Sequence, residues 1–202
     1  MIKALLLLHE RILPGTNAWF ATAMVLAPRF VLATALLALW GLLRGRGLGV
    51  TRGEWVQGVV IGLFASGGMI LQSDGLQFTA ASTSAFLTQF YAILIPVYLA
   101  WRTGRNPGGV VWMSGLLVLV GVGVLGRFDL RQLSLGRGEW ETLLSSVFFM
   151  GQILWLEKKE YAANRPDRLT LVMFGTESVV FIALAVAAAP ASGSVLALAA
   201  SV

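Results

Sequence analysis

The chain has 202 residues, of which 57% are hydrophobic and 12% charged, with a mean hydropathy of +0.78. Soluble domains carry about 45–50% apolar and about 25% charged residues, so an ordinary water-soluble core is excluded. The formal charge of +5 and pI of about 10.2 would suit nucleic acid, but the basic residues stand singly among apolar runs and form no stripe, while the lack of cysteine excludes disulfide frameworks and cysteine-based zinc sites.

In chain order, residues 1–8 look like a signal peptide until His9, Glu10 and Arg11 close the apolar run early, so they are read as half of a helix, a stub at 1–9. Apolar runs and their breakers then predict membrane spans near 19–43, 55–73, 77–101, 108–126, 139–157 and 169–189. A span takes about 20 mostly apolar residues, because a rise of ~1.5 Å per residue must cover a hydrocarbon core of about 30 Å. The plainest stretch is 55–101, which holds one charge, Asp74, and is read as two crossings joined there by a tight hairpin. A last apolar segment begins near Ser194 and stops at Val202, too short to cross. The expected fold is an all-α polytopic transmembrane bundle of about six full spans plus two partial ones. The chain is expected to be a fragment, or a gene model that starts from an internal methionine and is cut at the other end.

Lys and Arg in alternate loops set the expected orientation. Arg44, Arg46, Arg52, Arg102, Arg105, Lys158, Lys159, Arg165 and Arg168 make nine on one side, against five on the other: Arg11, Arg29, Arg127, Arg131 and Arg137. The first set is placed in the cytoplasm and the Asp74 hairpin outside. The seven tryptophans agree. Trp40, Trp55, Trp101, Trp112 and Trp155 fall near the inner ends and Trp19 and Trp140 near the outer ones, where indole is half buried and its N–H stays wet.

Gly121, Gly123 and Gly126 spell a dinucleotide-binding GxGxxG, but no helix follows the third glycine and no soluble domain surrounds it, so helix contact is the better account. Gly58 with Gly62, Gly67 with Gly68, and Ala81 with Ala85 are expected where backbones approach closely. Pro96 cannot donate to the Ala92 carbonyl, which predicts a bend or a loosened turn there.

Glu177 lies near the middle of span 169–189. A charge at that depth costs ~2.5–3.5 kcal/mol on insertion scales, so it should face protein or water, either as a proton or substrate site or as the partner of a residue such as Arg29. Arg29, nearer the outer boundary, has the plainer reading of an interfacial anchor. Span 77–101 carries Ser84, Thr88 and Tyr91 on one face and Ser82 and Gln89 on the other, which implies a helix surrounded by protein. Gln89, and Gln152 with Trp155 in span 139–157, are read either as helix-to-helix hydrogen bonds or as ligand contacts. Residues 157–160 read as a solvated helix end. His9 has no metal-ligand companion and no Ser/His/Asp set can be built around it, and no cofactor is expected.

The run Leu76-Gln77-Phe78-Thr79-Ala80-Ala81-Ser82-Thr83-Ser84-Ala85-Phe86-Leu87, then Pro96, then Gly115 to Gly126, resembles the EamA-type domain of the drug/metabolite transporter superfamily. Pro28-Arg29-Phe30 is similar to that family's opening of the second helix, and Lys3 onward to the tail of its first. The resemblance implies a ten-helix carrier of two five-helix repeats of opposite topology. Residues 1–126 would be the first repeat, 127–138 a connecting loop and 139–202 the start of a truncated second repeat. The chain departs from the family at Thr103-Gly104-Arg105, where an acidic residue commonly stands. Inverted repeats put the substrate near the midplane, which favours Gln89, Tyr91, Gln152, Trp155 and Glu177 as pathway residues.

The expected function is export of small metabolites or drugs by alternating access. The expected place is a multi-pass position in the plasma or inner membrane, with the bilayer and a small molecule as partners, no nucleic acid, and a homo-oligomer left open. The rivals are a membrane enzyme acting on lipids, against which the dispersed acids and lone histidine count, and a fragment inactive by itself.

Overall fold

In lipid a backbone must satisfy its own hydrogen bonds, and a chain this apolar does so as helices. The computed structural model describes residues 18–45, 47, 49–125 and 136–189. The expected stub with His9, residues 127–135 of the expected connection and the segment from 194 lie outside the described residues. Seven α-helices follow: α1 (Ala18–Leu43), α2 (Arg52–Phe78), α3 (Ala81–Thr88), α4 (Tyr91–Thr103), α5 (Gly109–Leu125), α6 (Arg137–Leu156) and α7 (Pro166–Ala188), with a 3-10 turn at Lys159–Tyr161. Among the described residues there is no strand.

Among the described residues, four segments are long and apolar enough to cross a bilayer: α1, α2, α3 with α4, and α7. The expected six full spans are thus four by length and composition. The apolar helix α5 has 17 residues. The 20 residues of α6 begin with Arg137, Glu139 and Glu141 and bury Thr142, Ser145 and Ser146 rather than apolar side chains.

Two expected breaks lie elsewhere. Asp74 is not in a hairpin turn, because α2 runs on to Phe78 and the chain turns at Thr79 and Ala80. A helix can hold this carboxylate because Arg137 and Gln77 both donate to it. Span 77–101 is two helices, and its narrowing precedes the Ala92 carbonyl: Gln89, Phe90, Ala92 and Ile93 donate to carbonyls three residues back. Pro96 remains inside α4. The Ala92 carbonyl it cannot serve lies against Gly115 of α5, where an added Cβ would stand 3.1 Å from the oxygen.

Burial is reversed relative to a soluble protein. Among the described residues, 16 polar or charged residues are buried against 12 hydrophobic ones, while Leu43, Trp101, Val110, Leu117 and Val186 are among the exposed apolar side chains. Lipid accounts for this, since it solvates apolar side chains and leaves polar groups to find protein partners. Every tryptophan falls in the first or last turn of its helix.

The chain forms two compact units, with α2 belonging to the first up to Gly62 and to the second from Leu63. In the first unit, the Phe30 ring of α1 stacks on Phe181 of α7 at 5.5 Å and lies 5.8 Å from Phe174. Thr34 Oγ1 and Ser178 Oγ meet at 3.2 Å. Gly58 and Gly62 let α2 approach α7 as their spacing predicts: a Cβ on Gly58 would fall 2.6 Å from that of Val172. In the second unit α2 and α6 exchange rings and glycines, Phe148 and Phe149 lying over Gly67 and Gly68 and Phe64 over Gly151. Helix α3 buries one face, Thr83, Ser84, Leu87 and Thr88, and exposes Ala81 and Ala85, so that small pair is not a contact.

Candidate functional site

The second unit brings α2 and α6 together. At the Asp74 end their backbones touch: a Cβ on Gly138 would lie 2.6 Å from the Gly75 carbonyl oxygen, and one on Gly75 2.7 Å from that of Gly138. Only glycine allows this approach. Arg137 closes over it, donating to buried Asp74 from one nitrogen and to Glu141 from another at 2.6 Å, with its guanidinium 4.5 Å from the centre of the Phe78 ring. Glu139, buried at 3% exposure, accepts the Gly136 N–H at 3.0 Å and the Thr79 hydroxyl at 2.6 Å. The seal thus combines backbone contact, an ion pair with one buried partner, and a cap that reaches across to α2.

Toward the other end of α6, residues of α2, α4 and α6 line an open cleft of about 790 Å³, with Phe64 of α2 resting on Gly151 of α6. Its walls are apolar at Phe64, Val147, Met150 and Leu154, and basic at Arg102, Lys158 and Lys159, with Glu157 beside them. Lys158 Nζ lies 3.3 Å from the centre of the Trp155 ring and 3.3 Å from Glu160 Oε1. Arg102 donates to the Tyr98 hydroxyl at 3.4 Å, and among the described residues no carboxylate stands within 4.0 Å of Arg102 or Lys159. The α4 helix stops just beyond, where Gly104 takes φ of +63° and ends it in the left-handed conformation that glycine adopts freely.

Of the five expected pathway residues, Trp155 lines this cleft, and its buried Nε1 has no hydrogen-bond partner. Gln89 sits half-buried in the link between α3 and α4, Tyr91 opens α4, and Gln152 lies one turn before the end of α6; none of the three lines the cleft. Glu177 belongs to the first unit. There it is 1% exposed, with Oε2 buried and unpartnered. Arg29 is exposed and near enough to act on it electrostatically, without an ion pair between them.

The first unit has a second carboxylate node. Glu54, 2% exposed, forms a capping box with Thr51, whose N–H lies 2.7 Å from Oε2 while Thr51 Oγ1 accepts the Glu54 N–H at 3.2 Å. Its other oxygen accepts the backbone N–H of Arg165 at 3.1 Å, and Arg168 stands 3.9 Å away.

Sequence reasoning counts Arg137 and Arg102 only among the loop charges and misses both capping glutamates. A signal was present in the repeated Arg-Gly-Glu-Trp at 52–55 and 137–140, which opens a helix each time. Compared with known proteins, residues 4–127 match the family model described as the EamA-like transporter family, which is more than half of the chain. No curated protein and no solved structure matches it.

Proposed function

We propose that this chain, which belongs to the EamA-like transporter family, is a multi-pass carrier of the cell membrane that exports small metabolites or drugs by alternating access. The observation that carries the reading is the α2–α6 pair, sealed by Gly75, Gly138, Asp74 and Arg137 at one end and lined by the open Trp155 cleft toward the other end of α6. A carrier that exposes its site to one side at a time needs such an asymmetry, and the opposite state would break the seal and close the cleft. Because the cleft lies at the end rich in Lys and Arg, we assign it to the cytoplasm and the seal to the outside.

On this reading residues 1–126 form one repeat of an inverted pair, 127–138 connect, and 139–202 begin the second. Gln89, Tyr91, Gln152 and Glu177 belong with Trp155 to the pathway. Glu177, buried with one unpartnered oxygen, is the candidate for proton coupling.

The test is accumulation of a panel of amino acids, nucleosides and organic acids in inside-out vesicles from cells expressing the protein. At least one compound should accumulate above vesicles lacking it; if none does, the transport reading falls. Glu177→Gln should abolish accumulation driven by a pH gradient, and unchanged accumulation would remove the proton role alone.

A further inference from the structure

Resting on the transport reading, we propose that the cleft between α2, α4 and α6 selects organic anions with an apolar or aromatic body. Its wall changes character along α6, from Val147, Met150 and Leu154 to Trp155 and then Lys158 and Lys159. Arg102 enters from α4, one turn beyond Tyr98. Three cations therefore line the cleft against one carboxylate, Glu157. Lys158 is partly answered by Glu160 and is held over the indole face of Trp155. Arg102 and Lys159 have no carboxylate within ion-pair distance among the described residues.

That contrasts with the other cations near this protein's carboxylates. Arg137 is neutralised by Asp74 and Glu141, Arg165 by Asp167 and Arg168 by Glu54. Positive charge left uncompensated beside apolar walls favours an anion there, because low-dielectric walls focus the field. The aromatic and aliphatic walls bind the rest of such a molecule, and a guanidinium gives planar, forked donors to a carboxylate or sulfonate. A cation would meet three like charges, and a purely apolar molecule would leave the cleft's cations unanswered.

Binding tests this apart from transport. The purified protein is placed in phosphatidylcholine nanodiscs, and benzenesulfonate, benzenesulfonamide and phenyltrimethylammonium are titrated by calorimetry. These probes share a ring and differ in the charge of the head. The sulfonate should bind at least tenfold more tightly than the other two. Arg102→Gln with Lys159→Gln should weaken it about tenfold while leaving the melting temperature unchanged, and Arg105→Gln, an exposed arginine outside the cleft, should leave it alone. Equal affinity for the three probes, or equal loss in the Arg105 variant, would overturn the proposal. So would loss of sulfonate binding when phosphatidylglycerol replaces part of the phosphatidylcholine, because the cations would then serve lipid headgroups. Failure of these titrations with intact vesicle transport would remove the anion selectivity and leave the carrier.

Discussion

Helices α2 and α6 open on the same four residues, Arg-Gly-Glu-Trp, and use them for different ends. In both, the glutamate at the third helical position folds back to the N-cap amide, of Thr51 in one and Gly136 in the other. In both, the tryptophan is exposed, 55% for Trp55 and 61% for Trp140, as an interfacial anchor should be. The second carboxylate oxygen separates them. That of Glu54 takes a backbone amide at the entry to α7, and that of Glu139 takes a hydroxyl at the exit from α2. The arginines differ more: Arg52 is exposed and without an ion-pair partner among the described residues, whereas Arg137 holds Asp74 and Glu141. One helix start is an internal brace of the first unit, and the other is the lock of the second. The local half of a cap is written in four residues, but its use depends on what arrives opposite.

The comparison is broken most severely through the glutamates. Glu54→Ala leaves the part-buried amides of Thr51 and Arg165 without their acceptor and the carboxylate's place in the interior empty, and should cost about 3 kcal/mol, since each hydrogen bond left unmade costs roughly 1–3 kcal/mol. Glu139→Ala strands one amide and a hydroxyl that can turn elsewhere, and should cost about 1–2 kcal/mol. Unfolding of both variants in mixed micelles ranks them, and a larger loss at Glu139 would contradict the brace-and-lock distinction.

Gly138→Val acts on the lock alone. Its side chain enters the space of the Gly75 carbonyl, a backbone group with no rotamer to yield, and overpacking of this kind costs about 1–3 kcal/mol. A single cysteine introduced at Ser73, buried in α2 one residue before Asp74 and outside the seal's hydrogen bonds, reports the result because the chain has no other cysteine. Its labelling by an impermeant maleimide should accelerate in the Gly138 variant, and an unchanged rate would mean that the two helix ends stay shut without the glycine contact.

The smallest effect is expected from the arginines, where Arg137 is 57% exposed and solvent screens its pairs. Arg137→Ala should lower the melting temperature slightly and speed the same labelling, and Arg52→Ala should change neither. Exchange of the pair, Asp74→Arg with Arg137→Asp, should restore slow labelling if the ion pair holds the lock. Fast labelling in the exchanged protein would shift that role to the glycine contact alone.

Much of the helical layout was legible in advance because membrane spans are set by local quantities, apolar length and the placing of Trp, Lys and Arg. Gly58 and Gly62 were legible for the same reason: a small residue at four-residue spacing makes a groove whatever fills it. The ends of α2 and the division at Gln89 and Phe90 are not legible in this way, because a charge or a proline need not break the helix where it stands. Asp74 is held inside α2 by Arg137, 63 residues away, and the backbone yields on the near side of Pro96. Among the site residues, Trp155 and Glu177 announce themselves by type and depth. Arg102 and Lys159 do not, since a basic residue at a helix end reads as a lipid anchor until a cleft is seen beside it.

The sequence by itself determined that this protein is helical, lies in lipid and resembles EamA-type carriers, because hydropathy and short motifs act residue by residue along the chain. Tertiary structure alone decided which polar groups are paired, that Gly75 and Gly138 meet, and that Arg102 and Lys159 line one cleft with Trp155. Those outcomes depend on contacts between residues distant in sequence, whose energies exist once the helices have packed.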